Sequence, residues 1–240
     1  MLLGLRVAPV FAFAPPFSLL KLPLLFRLLL GLGLAASLTA ASSPGRFVSE
    51  VSLSWLVPAA LRELLLGVLI VLTFQLVFAA LYFAGRTIDV QAGFGLALLI
   101  DPTSRAQMPL VGTLFAYGAA ALFFAFDGHL DLLRIISASL EAFPIGQWVM
   151  PASLDRLAAF MSAAFLAAFG VAGASIGILF MIDLTIALLV RTVPQMNALL
   201  LGLQIKAVVL LLVLPVSFAL GGMVLLRMMR MILEAIPRLM

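Results

Sequence analysis

The chain has 240 residues, 65% of them hydrophobic and 10% charged, with a mean hydropathy of +1.29; a globular domain carries about 25% charged residues, so this is the composition of an integral membrane protein. Its formal charge of +4 is scattered in single residues and pairs, which leaves no basic block to argue for nucleic acid. The absence of cysteine excludes disulfides, thiolate metal sites and cysteine nucleophiles, and the single histidine, His129, excludes a histidine metal cluster.

In chain order, Leu2 to Leu20 is apolar but carries Arg6 and the prolines Pro9, Pro15 and Pro16, which predict short helical pieces rather than a clean span. Leu24 to Ala41 follows, interrupted by Arg27, and ends at the turn signal Ser42-Ser43-Pro44-Gly45. Trp55 to Glu63 leads into Leu64 to Ala84, a run without charge and long enough to cross a bilayer. From Ala84 to Pro109 the chain stops reading as a lipid-spanning helix. Arg86, Asp89, Gln91, Asp101, Arg105 and Gln107 surround a short apolar core, Gly93-Phe94-Gly95-Leu96-Ala97-Leu98-Leu99-Ile100. That core falls well short of the about 20 residues a crossing needs, so the stretch is expected to be buried against protein or to line a path.

Met108 to Phe126 is again uncharged and reads as a span closed by the turn Asp127-Gly128-His129. Leu133, Ile136, Leu140 and Phe143 recur at helical spacing opposite Asp131, Arg134 and Glu141, predicting an amphipathic helix stopped by Pro144-Ile145-Gly146. Ser153 is a candidate N-cap with Asp155 in the first turn. Leu157 to Ile182 has no charge and contains the pair Gly173 and Gly177, a spacing that lets helices approach closely. After Asp183 the apolar run resumes to Val190, and the polar break Pro194-Gln195-Met196-Asn197 follows. Ala198 to Leu226 carries one charge, Lys206, and the tail from Arg227 to Met240 reads as an interfacial helix. These six apolar stretches predict an all-α membrane protein with several broken or re-entrant hairpins. If all six cross, both termini share the side richer in Lys and Arg, which favours cytoplasmic termini.

An unpaired charge at the centre of a spanning helix costs roughly 2.5 to 3.5 kcal/mol. Asp183 and Lys206 therefore require a partner. If the chain reverses between Pro194 and Gln195, the two lie equally far from the apex and meet at one depth of an antiparallel hairpin, with Pro194 to Asn197 at its tip. Phosphate-loop, zincin, nucleophile-elbow and dinucleotide motifs are missing. His129 beside Asp127 and Asp131 is the one acid–base candidate, although a turn histidine capping or packing at a membrane edge is the better account of it.

These residues together resemble the FliR/SctT family, the type III export gate proteins of flagellar and virulence systems. The resemblance is carried by Arg6-Val7-Ala8-Pro9, Arg62-Glu63 with Gly67, Ala84-Gly85, Ile88-Asp89, Gln91, Gly93, Ala97 and Asp101-Pro102. It continues through Phe123, Asp127-Gly128-His129, Ser139, Pro144-Ile145-Gly146, Pro194-Gln195-Met196-Asn197, Gly202 and Lys206. Only five residues precede Arg6, where the family has more of a first helix. The turn Asp127-Gly128-His129 before an apolar helix is closer to the flagellar branch than to the virulence branch.

The resemblance implies a single polytopic domain over residues 1–240 and a non-enzymatic channel subunit that needs no cofactor. It would work in a hetero-oligomeric helical assembly with FliP- and FliQ-like subunits and a FlhB-like neighbour. The assembly would sit in the bacterial inner membrane at the flagellar basal body, surrounded by lipid and passing unfolded protein substrates. It also implies a plug at residues 93–109, where Gly93 and Gly95 bend the chain, Phe94 and Leu96 to Ile100 seal by dewetting, and Asp101-Pro102 ends the segment. Two other classes remain open at this point. A self-sufficient small-solute transporter expects inverted repeats, and none is visible; a membrane enzyme built on His129 expects further converging polar groups.

Overall fold

A computed structural model describes residues 2–41, 53–94, 109–149, 155–193, 195 and 197–240. The described residues form helices and their connections, without a strand: α1 (Leu2–Phe13), α2 (Pro15–Ser18), α3 (Leu24–Ala41), α4 (Leu53–Gln91), α5 (Leu110–Ala125), α6 (Gly128–Ala142), α7 (Asp155–Thr192) and α8 (Ala198–Leu239). The turn signal at 42–45 and the N-cap candidate Ser153 lie outside the described residues.

Among the described residues, three stretches are long and apolar enough to cross a membrane: Ser54–Gln91 and Asp155–Thr192, each of 38 residues, and Leu201–Ala219 within α8. At 1.5 Å per residue a 38-residue helix is about 57 Å long, nearly twice a bilayer's hydrocarbon core. Such helices must tilt or extend beyond the lipid. The expected span at Met108 to Phe126 holds a 16-residue helix, α5, which is bent by 70° into α6 and reaches spanning length only together with it. Asp127 makes the break in the left-handed region, with φ 54°. The physical reason is length: sixteen residues reach about 24 Å.

The chain divides into two compact units. The first holds Met1–Phe78, Ala119–Ser162 and Met229–Met240; the second holds Ala79–Gly118 and Ala163–Met228.

In the first unit, α1 runs unbroken through Pro9, which corrects the expectation that all three prolines interrupt it. Proline at this position removes the intrahelical partner of the Leu5 carbonyl. Gly67 of α4 packs there so closely that an added Cβ would lie 2.6 Å from the Arg6 carbonyl oxygen and 2.9 Å from that of Leu5. The break comes at Ala14, whose extended backbone precedes Pro15 in the first turn of α2, as the clash between proline and a preceding α-conformation dictates. Arg27 donates to the Ala12 carbonyl and Gln75 donates to that of Phe13 at 3.2 Å, so the last carbonyls of α1 are met by side chains. Phe11, Phe17, Phe74, Phe123 and Phe124 form one cluster with ring centroids 4.7 to 6.2 Å apart, the edge-to-face spacing aromatic cores prefer.

Helix α6 buries Gly128, Leu132, Ile136 and Ser139, a stripe offset by about one position from the expected one. The tail is helical and continues α8, with Met229, Ile232, Ile236 and Leu239 buried and Arg227, Arg230, Glu234 and Arg238 exposed. The buried Trp148 indole donates to the Met240 carbonyl at 2.9 Å.

In the second unit, α7 and α8 form an antiparallel hairpin. Val171 lies against Gly221 and Ile186 against Gly202. The Ser175 and Ser217 hydroxyls are 2.6 Å apart, and Lys206 pairs with Asp183. All four pairs are centred on positions 194 to 196. Gly173 and Gly177 have nothing within 4 Å of an added Cβ, so the close approach expected there is not made by the described residues.

Candidate functional site at the carboxyl end of α4

The sequence places the change from spanning helix to specialised stretch at Ala84. The structure moves it to Gln91, because α4 continues through Arg86 and Asp89. Its end is then fixed from three directions, all within the second unit.

The first is the backbone. The Ala92 amide donates to the Ile88 carbonyl at 2.8 Å and the Gly93 amide to that of Val90 at 3.1 Å. Gly93 has φ +89°, a helix stop that glycine makes without steric cost. An added Cβ at Gly93 would also lie 2.3 Å from Leu203 Cδ2, so a side chain there would have to displace the end of that leucine.

The second is Lys206. Its ammonium pairs with the Asp183 carboxylate and donates at 3.1 Å to the carbonyl of Gln91, the last residue of α4. A cation at a helix's carboxyl end meets both an orphan carbonyl and the negative pole of the dipole. The side chain of Lys206 is 17% exposed and that of Asp183 is 42% exposed, so the pair is partly sheltered.

The third is Asp89, one turn before the end. Its buried carboxylate accepts from the Val111 amide at 3.2 and 3.1 Å, which caps the amino end of α5 with an acidic side chain from another helix. Gly85 and Gly112 permit the approach: an added Cβ at Gly85 would lie 2.3 Å from both the Cα and the amide nitrogen of Gly112. The connection between α4 and α5 therefore leaves and re-enters at a closed base, stapled by Asp89 on one side and Lys206 on the other.

Of the expected plug, Gly93, Phe94 and Pro109 belong to this base, whereas Gly95, Leu96, Leu98, Leu99, Ile100, Asp101 and Pro102 lie outside the described residues. At the expected hairpin tip, Pro194 and Met196 lie outside them as well. Gln195 is exposed, and the Asn197 carbonyl accepts from the Leu201 amide at 3.2 Å in the first turn of α8. At the turn that joins α5 to α6, the His129 ring lies 5.7 Å from that of Phe124. Its buried Nδ1 meets no hydrogen-bond partner among the described residues, and Asp131 is engaged by Arg134 at 2.7 Å.

Sequence reasoning missed the largest polar cluster, in the first unit. Arg6 and Glu63 are both fully buried and paired, Nε to Oε2 at 2.7 Å and Nη2 to Oε1 at 2.9 Å. Arg6 also donates to the Ser139 hydroxyl and the Phe143 carbonyl, each at 3.1 Å. Glu63 accepts from the Gly146 amide at 2.9 Å, and Arg62 donates to the Gly146 carbonyl at 2.8 Å. The signal was present in the sequence as three fragments far apart, Arg6, Arg62-Glu63 and Ser139 with Pro144-Ile145-Gly146, which only folding brings together.

A family model described as bacterial export proteins, family 1, matches residues 1–232. The chain belongs to this family. Among the curated export proteins it resembles is the flagellar biosynthetic protein FliR of Bacillus subtilis strain 168, 35% identical over 155 residues that make up 62% of this chain and 60% of that protein. The FliR of Escherichia coli K12 is 30% identical over 213 residues, 85% of this chain and 78% of its own length. The Yop proteins translocation protein T of Yersinia pestis is 28% identical over 152 residues, 62% and 58% of the two chains. The chain thus spans less than two thirds of the first of these relatives. As an export protein of family 1, it carries its two polar clusters, at Arg6–Glu63 and at the end of α4, inside an otherwise apolar all-helical membrane protein.

Proposed function

We propose that this chain is a non-enzymatic subunit of a flagellar type III protein export gate. With FliP- and FliQ-like subunits and a FlhB-like neighbour it forms the channel that passes unfolded flagellar proteins across the bacterial inner membrane at the basal body. Residues 93–109 serve as the plug. Membership of the bacterial export family over residues 1–232 carries the reading, together with flagellar relatives at 35% and 30% identity.

The distribution of buried surface agrees with a subunit built for partners. The most apolar window of 54–91 is 56% buried within the chain, whereas those of 155–192 and 201–219 are 28% and 17% buried. Apolar faces on α7 and α8 are thus left for lipid or neighbouring subunits. The stapled base at Asp89 and Lys206 suits a plug, because a segment that blocks a channel must leave and return at fixed points.

Co-purification tests the assembly. A carboxyl-terminal tag at the native locus, extraction in mild detergent and mass spectrometry should recover FliP- and FliQ-like proteins in fixed ratio. A lone or self-associated chain would overturn the gate and favour a self-sufficient transporter. Deletion of Gly95 to Arg105 tests the plug: the assembled complex should leak small ions, and an unchanged leak would remove the assignment. The Yersinia relative keeps a virulence-type gate as the second reading, and loss of motility on deletion of the gene separates the two.

A further inference from the structure

Lys206 does more than neutralise Asp183. Its ammonium has three donors, and one of them reaches the Gln91 carbonyl at 3.1 Å. One helical turn earlier on the same face of α8, Leu203 occupies the space that a side chain at Gly93 would need, 2.3 Å from an added Cβ. Residues three apart share a helix face. Helix α8 therefore grips the end of α4 at two points, one charged and one steric, while Asp183 of α7 holds the cation in place.

We propose that Lys206 is a positioning residue that couples the α7–α8 hairpin to the α4–α5 connection: displacing the hairpin displaces the point at which the chain leaves α4. The grip is a property of the second unit and holds whether or not residues 93–109 act as a plug. Asp89 passes the same displacement to the amino end of α5 through the Val111 amide.

An ion pair kept only to cancel two charges is replaceable by apolar residues of similar volume. A grip on a carbonyl is not, since no apolar side chain donates a hydrogen bond. The chain has no cysteine, so nitroxide labels at Val90→Cys and Leu212→Cys, both exposed, are its sole labelled sites and report on the end of α4 and on α8, the parent chain treated in the same way supplying the background. Distances are measured by pulsed electron resonance on the full chain with its co-isolated subunits in lipid nanodiscs, with tryptophan fluorescence as the check on folding.

In Asp183→Leu/Lys206→Met, which buries no unpaired charge, the released population at the end of α4 should rise at least about tenfold, the lower end of what a hydrogen bond to a charged group is worth. Lys206→Arg should keep the parent distribution. Leu203→Ala, which leaves the ion pair intact, should broaden the distribution partially. A parent-like distribution in the double apolar variant, or in Leu203→Ala if the double variant does not fold, would overturn the proposal.

Discussion

Glu63→Gln is the sharpest test of the first unit. It preserves the shape of the side chain and leaves the Arg6 guanidinium, fully buried, without its carboxylate. In the parent, Arg6 donates from Nε and Nη2 to Glu63 at 2.7 and 2.9 Å, and to Ser139 and Phe143 at 3.1 Å. The variant keeps the last two bonds and loses the charge assistance of the first two. At about 1.5 to 3 kcal/mol for each hydrogen bond to a charged group, the loss should reach about 3 to 5 kcal/mol, the usual cost of breaking a buried pair from one side.

The same reasoning expects Arg6→Met/Glu63→Leu to be less destabilised than Glu63→Gln, because both desolvated charges leave together, although the Gly146 amide and Phe143 carbonyl it leaves unmet keep it about 1 to 3 kcal/mol below the parent. Reversible unfolding in mixed detergent–SDS micelles measures the difference. The fluorescence of Trp148, buried in this unit beside the carboxyl end of α8, follows the transition. Glu63→Gln no less stable than the parent, or a double variant as unstable as the single one, would refute the argument that the cluster is held by charge complementarity in a dry site.

Three further outcomes follow from the second unit. Gly85→Val should destabilise by at least about 2 kcal/mol, since the added carbons meet the Gly112 backbone rather than a yielding side chain; loss of the folded fraction on size exclusion reads it. Asp89→Ala removes an acidic cap and leaves the buried Val111 amide unmet, which should cost about 1 to 2 kcal/mol and raise hydrogen exchange at the amino end of α5. Ser175→Ala or Ser217→Ala alone leaves one buried hydroxyl unpaired and should cost about 1 to 3 kcal/mol, whereas the double alanine variant should nearly recover parent stability in the same unfolding assay.

Much of this protein was legible because lipid-like composition and helical continuity are local properties. The all-helical membrane class, the apolar runs and the boundary signals at Pro15 and Asp127 follow from residue types read a few positions at a time. So does the matching depth of Asp183 and Lys206, because an antiparallel hairpin with a known apex converts spacing into contact. Errors arose where a local rule met a tertiary partner. Pro9 does not break α1 when Gly67 packs over the carbonyl it strands. The helix does not stop at Ala84 when Asp89, farther along, has the amino end of α5 to cap.

The composition by itself determined that the chain folds as helices in a membrane, since a backbone away from water must satisfy its own polar groups and helices do so within one segment. The sequence order determined which charges needed partners. Tertiary structure alone decided who the other partners are: Arg6 finds Glu63, Ser139 and the Phe143 carbonyl across long stretches of chain, Glu63 finds the Gly146 amide, and Lys206 finds the Gln91 carbonyl. A buried charge states in one dimension that it must be met, but hydrogen bonds are formed in three, and only the packed helices bring the donor to the acceptor.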